Sequence, residues 1–268
     1  LLAHLDFDYF DTSAVEFLIL DEADRMLDMG FYDDIITITK QLPKKRQTLM
    51  FSATMPPKIR ELATKLLKNP ASISLAISKP AAGITQTAYM CHDSQKVNLV
   101  REILRAKGKD ISHVLIFASS IKSVREIKKT LTKAGMRASE MHSGLEQEQR
   151  EETIRDFKSK KIRILVATDI LSRGIDIKGI ELVINYEVPH DAEDYVHRIG
   201  RTARADSTGE AITFINPKQV RDFMDIEKLI EKEVPKLNLP QGFETAPEYQ
   251  IVPKEKKKKW QNFKKKAN

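Results

Sequence analysis

Cysteine is nearly absent: Cys91 is the only one in 268 residues. That excludes an internal disulfide framework and a zinc site made of cysteines alone. It also fits a reducing compartment, so a cytoplasmic location is expected. Long hydrophobic runs are missing too. None approaches the roughly 18 residues that a spanning helix requires, and no membrane partner is expected. A third absence is the phosphate-cradling pattern Gly-x-x-x-x-Gly-Lys-Ser/Thr. The single Gly-Lys pair, Gly108-Lys109, is followed by Asp110 and preceded five residues earlier by Ile103.

Excess charge is lacking from most of the chain. The formal net charge is +7, but residues 254–268 hold eight lysines against Glu255 and account for all of it. The body, 1–253, is neutral, so polyanion binding there depends on where charges are placed rather than on their total. What is present is an ordinary globular balance, 41% hydrophobic and 31% charged, which argues against wholesale disorder. The length suggests two domains. The chain begins at Leu1 within what reads as a structured region, and a fragment of a longer protein is expected.

Short β-rich runs alternate with helical patterns almost throughout. Strands are expected at 15–20, 47–51 and 71–75, with helices near 32–42 and 57–67. Pro56 and Pro57 suit the start of the second helix, where a missing N–H costs little. Beyond an aperiodic stretch containing Pro80 and Gly83, strands are expected at 85–90, 113–117, 137–141, 164–168, 182–186 and 210–215. The matching helices are 95–107, 121–133, 146–158, 192–200 and 218–232. Continuous apolar runs such as Val114–Phe117 suit strands buried on both faces, and the alternation implies right-handed crossovers in a parallel sheet. The fold class is therefore α/β. Residues 1–75 form part of a first domain with too few strands to be complete, 76–83 a linker, and 84–234 a second domain. Residues 235–268, punctuated by Pro240, Pro247 and Pro253, form a flexible lysine-rich tail.

Four constellations carry chemistry. In Asp21-Glu22-Ala23-Asp24 a buried strand ends in two adjacent acids at the carboxyl edge of a parallel sheet, where open α/β folds bind ligands. Asp21 suits a hard cation such as Mg2+, and Glu22 a base that orients water. The same residues also read as an acidic helix start favoured by the helix dipole. Ser52-Ala53-Thr54 follows the next strand and can hydrogen-bond acids on the neighbouring strand end, or simply cap a helix ahead of Pro56. His197, Arg201 and Arg204 are spaced i, i+4, i+7, so a helix through them sets all three on one face. There the arginines can stabilise a transferring phosphoryl group. Gly200 argues against an unbroken helix, and an exposed basic surface is the alternative. Finally, Thr168, Ser172, Arg173, Gly174 and Asp176 crowd a loop after a strand. Such a loop suits phosphate contacts and, through Asp176, sugar hydroxyls, though it also reads as an ordinary connection with an aspartate cap.

In this order and spacing, the motifs resemble the DEAD-box family of ATP-dependent RNA helicases, within superfamily 2. Asp21–Asp24 matches the name-giving box, Ser52–Thr54 the third motif and Leu115–Ser120 the fourth. His142-Ser143-Gly144 with Gln149-Arg150 resembles the segment after it, 167–176 the fifth motif and 197–204 the sixth. The resemblance runs from Leu1 to about Lys232, and its wording around Pro189–Tyr195 is similar to bacterial RhlE-type members.

That resemblance implies two RecA-like lobes, the first truncated, with ATP and RNA held across the cleft between them. Asp21 would hold Mg2+ through water, and Glu22 would position the attacking water. Ser52 and Thr54 would couple the acidic box to RNA-dependent closure. Arg201 and Arg204 would reach the γ-phosphate, Asp176 the ribose, and Asp24 and His197 would belong to the nucleotide side. Gly144, Arg150, Thr168 and Arg173 would lie along the RNA backbone, in phosphate and 2′-hydroxyl contacts that carry no sequence readout. Splitting the groups between lobes makes hydrolysis conditional on closure. Local duplex separation is the implied work, with ribosome biogenesis among its expected settings. Departures are small: Ser143-Gly144-Leu145 stands where many members have Gly-Asp, Ser172 where Ala is common, and Ala203 where Gly is common. None removes a charged group.

Two other readings compete. Ala23-Asp24 together with Ser52–Thr54 speaks against a DNA-directed helicase, and intact Glu22, Arg201 and Arg204 speak against a non-catalytic RNA-binding module. Trp260 and Phe263 among the tail lysines suit phosphate attraction and base stacking, as against a merely solvated tail. With nothing to cradle the β-phosphate, this chain alone is expected to hydrolyse ATP feebly or not at all. A steady-state ATPase assay on the purified chain checks this, and robust RNA-stimulated turnover contradicts it.

Overall fold

The computed structural model describes residues 1–5, 7, 9–52, 54–74, 83–108, 111–168, 179–202 and 208–251. The chain divides into two compact units, Leu1–Ile77 and Ser78–Asn268. Apart from Gly83, the expected linker 76–83 lies outside the described residues.

The first unit runs α1 (Leu2–Leu5), β1 (Phe17–Leu20), α2 (Ala23–Asp28), α3 (Tyr32–Gln41), β2 (Gln47–Met50) and α4 (Pro57–Leu66). Pro57 occupies the first helical position of α4, as its sequence suggests. The two strands pair in parallel, from Phe17 opposite Gln47 to Leu20 opposite Met50. Strand alternation sends Leu18 and Leu20 to one face, where they pack with Ile35 of α3 and Leu62 of α4. Phe17 and Ile19 lie on the other face and are each 60% exposed. The expectation of a fully buried strand is thus corrected: helices cover one face of β1 only. Residues 71–74 form no strand either, because no described strand lies alongside to complete a ladder, and Ile73 is 86% exposed.

The second unit runs β3 (Ile84–Met90), α5 (Asp93–Ala106), β4 (Val114–Phe117), α6 (Ile121–Lys133), β5 (Ala138–Met141), α7 (Gln147–Lys158), β6 (Ile164–Ala167), β7 (Leu182–Asn185), α8 (Ala192–Ile199), β8 (Gly209–Ile215), α9 (Val220–Ile230) and β9 (Lys236–Leu237). All strands are parallel, in the order β5-β6-β4-β7-β8-β3-β9. The central β4, β6 and β7 are buried at every position, which is why they read as unbroken apolar runs. On one face Val114 and Ile116 meet Leu99 of α5 with Ile127 and Leu131 of α6. On the other, Leu115 and Phe117 meet Phe157 of α7, while Ala88, Ala211 and Ile215 meet Tyr195 of α8 and Phe223 of α9. Each Val, Leu, Ile or Phe side chain among them contributes about 1.5–3 kcal/mol on burial. Helix starts follow local chemistry: the His92 and Glu146 N–H groups donate to Gln95 and Gln149, three residues on. Burial pushes the Cys91 thiol up to about 12, so it serves as a small apolar residue.

The expectation of a flexible chain from Pro235 is corrected for 235–251. Ala88 N–H donates to Pro235 O at 2.8 Å, and Lys236 and Leu237 add a seventh strand beside β3. Leu239 and Phe243 then pack on the α5–α6 core, and Ala246 and Tyr249 on the α8–α9 core. One carboxylate fastens this strap. Glu227 of α9 accepts from Val234 N–H at 2.7 Å, Lys236 Nζ at 2.5 Å and the Tyr249 hydroxyl at 2.7 Å. The Lys236 ammonium also lies 4.3 Å from the Tyr249 ring centre. Burial and the neighbouring carboxylate push the Tyr249 phenol up, keeping it a donor. Prolines mark a break in regular structure, not a loss of packing. Glu227→Ala is expected to cost about 1–3 kcal/mol by stranding the Val234 N–H. Hydrogen exchange checks it: amides of 236–251 should lose protection while those of β4 and β7 keep theirs, and unchanged protection refutes the clamp.

Candidate functional site

In the first unit, the carboxyl ends of β1 and β2 are stitched together past the ladder. Phe51 N–H donates to Leu20 O at 2.7 Å, and Ala23 N–H returns to Phe51 O at 3.0 Å. Between these bonds the chain must reverse sharply. Glu22 absorbs the turn at φ 49°, ψ 48°, a left-handed conformation that non-glycine residues seldom adopt and that costs of order 1–3 kcal/mol. Asp21 Oδ1 accepts Glu22 N–H at 2.9 Å, and both side chains are exposed. Two carboxylates thus stand at the sheet's carboxyl edge on a strained turn that opens α2.

Asp24 is different. It is 6% exposed, and both its oxygens are used by the chain itself. Oδ1 accepts Arg25 N–H at 3.0 Å, while Oδ2 accepts Thr54 N–H and Thr54 Oγ1–H, each at 3.0 Å. Ser52 completes the knot by accepting Asp24 N–H at 3.2 Å and donating to Thr54 O at 2.7 Å. The expected link between hydroxyls and acids is present, but its acid is Asp24, not the exposed pair. Asp24 was expected on the nucleotide side; in this structure its carboxylate accepts three hydrogen bonds that hold the segment after β2 against the start of α2. Among the described residues no cluster of three or more potential ligands could hold a metal. A lone exposed carboxylate such as Asp21 fits Mg2+, which keeps several waters and takes other ligands from phosphate.

In the second unit, β5 and β6 deliver Gly144 and Thr168 to the same sheet edge. Thr168 is half-buried, its N–H donating to Met141 O at 3.1 Å. Gly144 packs against His142, whose ring is fully buried with no hydrogen-bond partner and lies 3.7 Å from Glu140 Oε2. A Cβ on residue 144 would come within 3.3 Å of that ring. Arg150 reaches back from α7, Nε to Leu145 O and Nη2 to Ser143 O, both at 2.9 Å. Its assignment to RNA is refined accordingly: most of its guanidinium shapes the loop that carries Gly144.

α8 carries the sixth motif. Asp191 caps it by accepting Glu193 N–H at 2.9 Å. Tyr195, Arg198 and Ile199 form its buried stripe. Sequence reasoning gave Arg198 no role, yet it anchors the helix, donating to Asn185 Oδ1 at 3.4 Å and Glu187 O at 3.3 Å, with its guanidinium 5.2 Å from the Phe117 ring centre. The i, i+3, i+4 spacing with Tyr195 and Ile199 was the signal. Ser119 N–H donates to Glu187 at 3.0 Å, tying the end of β4 into the same group; burial raises the Glu187 carboxyl.

The helix ends at Ile199, so the single helical face through His197, Arg201 and Arg204 is corrected: Arg201 sits in the turn that follows. That turn is pinned from beyond. Thr202 is fully buried, and its Oγ1 donates to Ile180 O at 2.6 Å. Only glycine fits across from it, since a Cβ on Gly209 would lie 2.1 Å from Thr202 Oγ1. His197 is exposed in the last turn of α8. Arg173, Asp176 and Arg204 lie outside the described residues. For the first-unit knot the expected outcome is definite. Asp24→Asn leaves too few acceptors for three donors and should cost about 1–3 kcal/mol, with Thr54→Val costing less. Denaturant unfolding of the chain measures both, and an Asp24→Asn variant of unchanged stability refutes the assignment.

Known proteins share these features in the same order. Residues 1–62 match the DEAD/DEAH box helicase family, and residues 95–206 match the helicase conserved C-terminal domain. The ATP-dependent RNA helicase CshA of Listeria monocytogenes is 38% identical over 241 residues, covering 90% of this chain and 46% of its own. The DEAD-box ATP-dependent RNA helicase RhpA of Helicobacter pylori is 36% identical over 253 residues, 94% of this chain and 50% of its own. The chain thus spans about half the length of these curated relatives. Among solved structures, Dbp5 of S. cerevisiae bound to RNA and ADP BeF3 is 29% identical with a TM-score of 0.80, covering 88% of this chain and 63% of that one. A DEAD box protein from Methanococcus jannaschii is 38% identical with a TM-score of 0.55 over the same shares. With two family models matched in order along the chain and relatives of 36–38% identity over nine-tenths or more of it, the chain belongs to the DEAD-box family of ATP-dependent RNA helicases.

Proposed function

We propose that this chain forms part of an ATP-dependent RNA helicase, to which its first unit brings the acidic box and its second unit the arginine turn. The observation that carries the proposal is the division of labour inside the acidic box. Asp21 and Glu22 are exposed, whereas Asp24 is consumed by Ser52 and Thr54. A box serving only to start a helix has no need of a left-handed glutamate at its centre.

Asp21, with its exposed carboxylate, would hold Mg2+, and the ion would supply positive charge to the phosphoryl oxygens of a bound triphosphate. Glu22 orients and deprotonates the attacking water. Arg201, on its pinned turn, and Arg204 bring guanidinium groups to the developing charge, and Asp176 and His197 serve the nucleotide side. Ser52 and Thr54 act through Asp24, so any movement of the segment after β2 is felt at the start of α2, one residue from Glu22. Gly144, Thr168 and Arg173 contact RNA phosphates and 2′-hydroxyls, with Arg150 holding the Gly144 loop in shape.

In the complete protein, Glu22→Gln should lower ATP turnover at least about 100-fold while leaving ATP-dependent RNA binding in place. Parallel ATPase and RNA-binding assays make the test. Wild-type turnover in the variant refutes the role given to Glu22, and loss of RNA binding together with turnover points to a structural effect instead.

A further inference from the structure

The body of the chain is neutral, yet α6 carries a net charge of +4, five cations less one acid. α6 (Ile121–Lys133) carries Lys122, Arg125, Lys128, Lys129 and Lys133 against a single acid, Glu126. Lys122, Arg125, Lys129 and Lys133 are all exposed. Their spacing of three, four and four residues lines them along one side of the helix. None forms an ion pair among the described residues, not even Lys122 with Glu126 one turn on.

The arrangement works against the helix that bears it. Like charges three and four residues apart repel. Lys122 stands in the first turn, where the helix dipole disfavours a cation. The other helices of this unit follow the usual rule, with Asp93 in α5, Glu148 in α7, Glu193 and Asp194 in α8, and Asp222 in α9; α6 has no acid in its first turn. A merely solvated face would need no such excess, and elsewhere in the unit charges of both signs are mixed.

Position gives the stripe a partner. Its Arg125 Nη2 lies 3.9 Å from where a Cβ on Gly144 would sit, so this end of the row lies beside the loop assigned above to the RNA backbone. From Lys122 to Lys133 the row spans eleven residues, about 16 Å, down the outside of the α5–α6 face. A straight row of unpaired cations matches a polymer whose negative charges recur along a line, one phosphate every ~3.4 Å of strand rise.

We propose that the exposed face of α6 is an extension of the RNA path, holding phosphates of the strand beyond the Gly144 loop. It is a sequence-independent electrostatic track that acts on longer RNA only, and it rests on the RNA reading given above. The test uses the whole chain carrying Lys122→Ala, Lys129→Ala and Lys133→Ala together. A charge-matched control carries Lys218→Ala, Lys228→Ala and Lys232→Ala, exposed lysines in and beside α9 on the opposite face of the sheet. Affinity is measured by fluorescence anisotropy against salt concentration, for single-stranded oligonucleotides of about 6 and about 20 nucleotides. For the longer RNA, the α6 variant should lower the slope of log affinity against log salt by about two, at about 0.7 per lost phosphate contact. The shorter RNA and the control variant should change little. Unchanged binding of long RNA, or equal losses in the control, overturns the inference while leaving the RNA reading intact. If the unaltered chain binds neither oligonucleotide, the RNA reading fails and takes this inference with it.

Discussion

A parallel sheet ends all its strands at one edge, and that constraint arranges everything functional in this chain. Buried strands such as Val114–Phe117 and Leu182–Asn185 are apolar on both faces, so polar groups can enter only where the ladder stops. Asp21, Ser52, Ser119, Gly144, Thr168 and Glu187 all stand within a few residues of a strand's carboxyl end. There backbone N–H groups no longer claimed by the ladder are available, and the chain uses them: Ser119 N–H goes to Glu187, and Thr54 N–H to Asp24. Chemistry sits at this edge because the sheet allows it nowhere else.

Side chains that do chemistry must be held by others that do not. Half-buried Arg201 is flanked by fixed residues, Arg198 bound to Asn185 and Glu187 before it and Thr202 to Ile180 after it. Glu22 stands on a strained turn because Ala23 and Phe51 lock the backbone on its far side. On either side of Arg201 the holding residues, Arg198 and Thr202, are buried polar side chains. Removing such a partner costs more than the bond itself, since the group left behind is buried without solvent. Motifs that look like lists of reactive residues are therefore half scaffold. The third motif is the plainest instance: Ser52 and Thr54 touch Asp24 and backbone, and nothing that a substrate would offer.

Most of this was legible in the sequence, for identifiable reasons. Element type was clear wherever the apolar period was strong: Ile121–Lys133 has the expected bounds, and the six strand runs from Thr85 to Ile215 all carry strands within a residue or two of their expected ends. Failures fell where tertiary context overrides local pattern. Ala71–Leu75 is apolar enough for a strand, but residues 71–74 have no neighbour to pair with. The Pro-rich stretch after Pro235 looks like tail, yet the open edge of β3 accepts Lys236 and Leu237, and Glu227 secures them. The helical face through His197 and Arg201 stops at Gly200, the residue that already argued against it in the sequence. Of the site, residue types and edge positions were readable, but who bonds whom was not. That Asp24 rather than Asp21 meets Thr54 depends on the left-handed turn at Glu22, a backbone feature no local pattern announces.

The same logic separates two kinds of charge in the chain. Some buried or half-buried charges are paired: Lys96 is 1% exposed and rests 2.9 Å from Asp93, and Glu227 binds Lys236. Their desolvation would otherwise cost several kcal/mol, so they report on stability and say little about ligands. Exposed charges are under no such obligation, and there the informative feature is an arrangement that lowers the stability of its own element. A left-handed glutamate is such an arrangement, and so is a helix whose cations repel one another. Folding alone gives no reason to keep either, so a partner outside the fold must supply the compensating free energy. On the reading proposed above, phosphate chemistry would supply it for Glu22, and a polyanion long enough to reach along the helix would supply it for α6.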